Sequence, residues 1–446
     1  MNVVDHPIDA KVVGALPVGE FSSRYRDIIG CVVAASLGIL VLDVLTLTYG
    51  VYYPDDINVL HPVAVGSVAE SLKFSTRPLE YFIVSAANDV YLPLWLAASL
   101  LCVAGAAVLA GLACEKLLEQ QLPRAGWWIL GLANPLLFYL VSQPDTLSQG
   151  LSNLLFASAM LAFAYELRWL PARPPSTCRD DGPAVVLNFL AAALFFTKET
   201  AVAAAALLPA ATALVRLRER RFSPIFLFSL LFPAAGAISW LWIKLQFPAM
   251  VPTLNAGHYA LMFGPAGWAQ NFIITLAFPV TPLPSSFLGF ALLRLLWIAV
   301  ALGAVALFLA IVWYEVRRQP KIALPLFLIA ACCAPMILVK PSELYSTMIA
   351  PFAIAIILLF GVSRAPRVSW AYGLLLYGAS LANGVVYFNG GDFKLFGLQH
   401  IQYSIYDKYY QSVPICPIGG TAHFAWDRAA SGHYLGVPGR PVCVRH

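Results

Sequence analysis

The chain has 446 residues, of which 60% are hydrophobic and 11% charged, with a mean hydropathy of +0.75 and a formal net charge of +5. Soluble domains carry about 25% charged residues, so this much apolar surface excludes a single water-soluble core. The long Leu/Ala/Val-rich runs lack the roughly 10-residue alternation of barrel strands, which predicts an all-α polytopic membrane protein.

In chain order, residues 1–27 are polar, hold Lys11, Arg24 and Arg26, and lack the apolar core and small-residue cleavage site of a secretory signal. The first membrane helix is therefore expected to be retained. Eleven spans are predicted, at about 28–49, 90–113, 127–142, 150–167, 184–197, 201–215, 225–246, 288–314, 322–339, 345–362 and 368–388. They make a transmembrane domain over 28–390, with one long loop at 50–89 and a polar, aromatic-rich tail at 391–446. With the N-terminus inside, the inner segments carry 17 of the 28 Lys and Arg residues and the outer loops five. That asymmetry sets the orientation and places the 50–89 loop and the tail outside the cytoplasm. The carboxylates do not follow it, with eleven on each side and Asp43 inside the first span. No internal repeat of the kind expected for a transporter's inverted halves is found.

Chemistry-bearing residues collect on the outer side. Asp55 and Asp56 follow Tyr52, Tyr53 and Pro54 just beyond the first span. Adjacent carboxylates raise one another's proton affinity, so one could accept a proton from an attacking hydroxyl, or the pair could help to hold a divalent cation. A solvated turn is the plainer alternative. Arg77 precedes Pro78, which suits a first helical turn, so a phosphate site and a snorkelling interfacial arginine are both open. Lys198 and Glu199 interrupt an apolar stretch, where charges must pair or face a cavity; phosphate binding by the lysine and a mutual ion pair are the alternatives. Lys340, Glu343 and Tyr345 form another charged and aromatic element before a helix. Asp145 stands in a polar insert and could cap the fourth span. Asp43 could mark an intramembrane site or be an uncharged, hydrogen-bonded residue, and His61 could touch substrate or be an ordinary loop histidine.

Of eight cysteines, Cys31, Cys102, Cys114, Cys332 and Cys333 fall in or beside apolar runs and are expected to be small buried hydrophobes. Cys416 and Cys443 lie in the tail, and would form a disulfide if it faces an oxidising compartment.

The pattern YYPDDINVLHP, followed about twenty residues later by STRPLEYFI, resembles the GT-C superfamily of membrane glycosyltransferases, most of all the O-antigen-modifying glucosyltransferases. FFTKETAV is similar to a Lys-Glu element of several branches, and LVKPSELYSTMIAPF resembles their late charged and aromatic outer element. Thr76 stands where a glycine often precedes the arginine, which leaves the mannosyl-, aminoarabinosyl- and arabinosyltransferase-like branches open. The resemblance implies a GT-C-like bundle of the cytoplasmic (inner) membrane with its site on the periplasmic side. It implies an inverting transfer from a polyprenyl-phosphate-linked sugar to a hydroxyl acceptor, with Asp55 or Asp56 as base. Arg77 and Lys198, with Lys340, would neutralise the donor phosphate, and Glu199, Glu343, Tyr345, Asp145 and His61 would support substrate binding. A divalent cation is the one cofactor the acidic pair could hold; no nucleotide-binding loop is found and no nucleic-acid partner is expected. A transporter or flippase, and a polymerase, ligase or acyltransferase of lipid-linked glycans, are the alternative functions.

Overall fold

The computed structural model describes residues 18–46, 77–79, 82, 93–132, 147–169, 181–246, 264–269, 271–272, 291–335, 347–361, 367 and 370–378. Every regular element among them is helical. In chain order these are α1 (Val18–Thr46), α2 (Pro93–Leu118), α3 (Arg124–Leu132), α4 (Leu147–Trp169) and α5 (Gly182–Leu194). After a 3-10 turn at Glu199–Ala201 come α6 (Val202–Arg218), α7 (Pro224–Ser229), α8 (Leu231–Gln246) and α9 (Ala291–Arg318). A second 3-10 turn, Pro320–Ile322, leads into α10 (Ala323–Cys332), and α11 (Ala350–Gly361) follows.

Five stretches among the described residues are long and apolar enough to cross a bilayer: Ala98–Leu118, Leu147–Arg168, Glu199–Arg218, Pro224–Gln246 and Ile298–Arg318. Three shorter apolar helices accompany them, Gly182–Leu194, Pro320–Cys332 and Ala350–Gly361. Helix length and hydropathy therefore define a multi-pass membrane protein. The stretch within α9, Ile298–Arg318, is only 17% buried inside the protein, so most of its apolar surface is left for lipid.

Several boundaries differ from the sequence expectation for identifiable reasons. α1 begins at Val18, so the predicted 1–27 segment already contains helix; its polar first turns are held because Arg24 pairs with Glu115 of α2. The span expected at 225–246 is two helices, because Pro233 has no N–H to donate to Ser229 one turn earlier. The five cysteines expected in apolar helices are buried with free thiols.

The core is built from α2 and α4, which pack along most of their length, with α5, α6 and α11 against them. Small residues let these helices approach, as expected where lipid offers no hydrophobic drive between them. Among the described glycines the closest approach is at the crossing of α1 on α3, where a Cβ on Gly131 would lie 2.2 Å from the backbone oxygen of Cys31. Gly131→Ala is therefore expected to force the helices apart and to destabilise the fold by about 1–3 kcal/mol. Gly303→Ala, which would meet nothing within 4 Å, is expected to be harmless. Thermal denaturation of the two variants in detergent, beside the parent, checks this.

The ion pairs of the described residues sort by bundle end. At one end Arg24 pairs with Glu115, and Arg124 lies 3.8 Å from Asp27. Arg168 lies 2.6 Å from Glu119, to which Lys321 also donates. The Lys321 hydrogen bond, with the Arg168 charge, holds the Glu119 carboxyl below the usual carboxylate range. At the same end Arg216 donates to both Glu166 and Asp181, and Ser223 Oγ donates to Asp181 Oδ2 at 2.6 Å. These are all residues the charge pattern puts on the inner side. The inner acids thus match inner bases, which is why the carboxylates are not biased as the cations are.

Candidate functional site

The other end carries a different arrangement. α5 unwinds after Leu194: Phe196 and Thr197 donate their N–H groups to Ala193 and Leu194, and Thr197 Oγ1 donates to the Leu194 oxygen at 2.8 Å. One extended residue follows, Lys198, at φ −112° and ψ 147°. The chain then turns through Glu199–Ala201 into α6. This lone extended residue between two helices explains how the charged pair in FFTKETAV fits an apolar hairpin.

Lys198 is 6% exposed. Burying an ammonium is costly unless the surroundings compensate, so its position is specified rather than incidental. Glu199 is partly exposed and takes its partners from two distant parts of the chain. Arg77 Nη2 donates to Glu199 Oε2 at 3.1 Å, and Lys244 Nζ donates to Oε1 at 2.7 Å. Each carboxylate oxygen therefore serves one cation. Lys244 comes from the last turn of α8. Arg77 is delivered by a backbone tie, in which Leu79 N–H donates to the Phe196 oxygen at 3.3 Å. Arg77 itself stands just before a helical turn at Pro78 and Leu79, as the proline implied.

Arg77 and Lys244 thus meet on one carboxylate, that of the residue following buried Lys198 in the chain. A guanidinium fork and an ammonium are both groups that suit the oxygens of a phosphate. Glu199 holds these two cations in place and keeps their mutual repulsion in check.

Of the residues nominated from sequence, Arg77, Lys198 and Glu199 are brought together here. Asp55, Asp56, His61, Asp145, Lys340, Glu343, Tyr345, Cys416 and Cys443 lie outside the described residues. Asp43 lies in α1. Lys244 was missed: it was counted among the outer cations and given no role. The carboxylate of Glu199 forms its ion pairs with Arg77 and Lys244 and not with its neighbour Lys198. Among the described residues no three His, Cys, Asp or Glu side chains are grouped to hold a metal ion.

The arrangement belongs to a helical, multi-pass membrane protein with Arg77 and Lys244 paired on Glu199 at one bundle end. No protein-family model, curated protein or solved structure matches this chain.

Proposed function

We propose that the chain is an inverting glycosyltransferase, moving a sugar from a polyprenyl-phosphate donor to a hydroxyl acceptor on the outer face of the cytoplasmic membrane. The observation that carries this is the convergence of Arg77 and Lys244 on Glu199, next to buried Lys198. The GT-C resemblance nominated Arg77 and Lys198 for a donor phosphate, and the meeting of Arg77 and Lys244 on the residue after Lys198 supports that reading. In the proposed reaction the acceptor oxygen attacks the anomeric carbon while the bond from that carbon to the phosphate oxygen breaks. The hydroxyl proton passes to Asp55 or Asp56, and the cations stabilise the charge gathering on the departing phosphate.

The test is transfer from defined polyprenyl-phosphate monosaccharides in proteoliposomes. At least one of Asp55→Asn and Asp56→Asn is expected to insert and fold normally yet lose transfer about 10²–10⁴-fold. Two well-folded variants with full activity would overturn the mechanism. Sugar accumulation inside sealed vesicles with no covalent product would point to transport instead.

A further inference from the structure

α9 closes at the Arg216 end of the bundle, since Arg318 stands three residues before Lys321, which pairs there with Glu119. Its last six residues, 313–318, read WYEVRR. Trp313 and Tyr314 are 60% and 59% exposed, Arg317 and Arg318 are exposed, and Glu315 is 2% exposed. Side chains four apart share a helix face. Arg317 and Arg318 therefore lie one turn beyond Trp313 and Tyr314, about 6 Å nearer the helix end. Glu315 is the one acidic residue of α9, and its burial turns it into the protein. The exposed face is left with two cations and no anion of its own.

The guanidinium of Arg317 covers the Trp313 ring, with 4.8 Å from its carbon to the ring centre. Stacking of this kind uses the flat face of the group, whereas its N–H donors lie in the plane. Among the described residues neither the Arg317 nor the Arg318 side chain donates a hydrogen bond or joins an ion pair. The surface around them meets lipid, because Ile298–Arg318 is apolar enough to span and only 17% buried. At the inner rim the arginines stand at headgroup depth, with the two aromatic residues one turn deeper, at the level where Trp and Tyr settle. A helix C-terminus favours basic side chains, which accounts for the charge. It does not require both arginines to rise above aromatic residues on the one face given to lipid.

We infer that Trp313, Tyr314, Arg317 and Arg318 form a binding site for one anionic phospholipid of the cytoplasmic leaflet, of the phosphatidylglycerol kind. The guanidinium forks take the phosphodiester oxygens, and the aromatic rings cover the glycerol region. The acyl chains lie along the exposed face of α9, where Leu307 and Leu309 are 63% and 42% exposed. A glycerol headgroup leaves the phosphate charge to the arginines, whereas a choline headgroup brings a cation of its own into the same space. The site lies at the bundle end opposite Glu199 and does not depend on sugar transfer.

Native mass spectrometry tests this, with the full chain in detergent titrated with phosphatidylglycerol or with phosphatidylcholine of the same acyl chains. The parent is expected to hold one phosphatidylglycerol about twenty-five-fold more tightly than phosphatidylcholine, about fivefold for each arginine. Arg317→Gln with Arg318→Gln should bring phosphatidylglycerol down to the phosphatidylcholine level and leave phosphatidylcholine itself unchanged, which also shows that the variant is folded. Arg218→Gln with Arg220→Gln removes two exposed arginines from the end of α6 and the loop after it, and should keep the preference. Lysine at both α9 positions should restore only part of it, since an ammonium keeps the charge but not the fork. A parent without the preference overturns the inference, as does a preference that survives the α9 glutamines or disappears with the Arg218 and Arg220 pair. Equal losses for both lipids would make the patch a general anchor, and full recovery with lysine would reduce it to surface charge; either result overturns the site as well.

Discussion

Replacing Arg216 by leucine is expected to lower stability by about 3–5 kcal/mol. Arg216 and Glu166 have side chains only 1% exposed, and Asp181 7%. One guanidinium serves both carboxylates while its face covers the ring of Phe226 at 4.5 Å. Removing it leaves two carboxylates buried without their cation, at the point where α4, the start of α5, and α6 meet. The loss should appear as a much lower denaturation midpoint in detergent and poor accumulation in membranes. Arg216→Leu combined with Glu166→Gln and Asp181→Asn should recover most of it, because the stranded charges go with the cation. A single variant as stable as the parent would show that the cluster does not hold these helices together.

Arg77→Ala is expected to cut sugar transfer about 10²–10³-fold, the usual loss when one preorganised donor to developing negative charge is removed. Arg77→Lys should fall between, since an ammonium keeps the charge but not the planar fork. Neither substitution should move the denaturation midpoint much. The side chains of Arg77, Glu199 and Lys244 are 16%, 42% and 24% exposed, and a partly open ion pair whose carboxylate keeps a second cation contributes about 1 kcal/mol. Arg216 and Arg77 thus separate cleanly, one read in folding and the other in turnover. If Arg77→Ala transfers sugar at the parent rate, phosphate handling does not depend on it.

What the sequence disclosed, and what it withheld, follows from the range of the forces involved. Apolar run length marked α2, α4 and α9 because desolvation acts residue by residue along one helix. The break before α8 was harder to see, since it needs Pro233 to be matched to one particular carbonyl. At the candidate site, Lys198 and Glu199 stood out because charge in an apolar stretch is conspicuous wherever it is placed. Their partners did not, because Arg77 is 122 residues from Glu199 and Lys244 is 45.

The distribution of ionic contacts between the two faces of the bundle has a mechanical consequence. Residues of α1 to α4 and α6, with those leading into α5 and α10, are riveted together at the Arg216 face. Pulling any one of these segments away there separates charges from partners up to 202 residues distant in the chain, so that face resists opening as a unit.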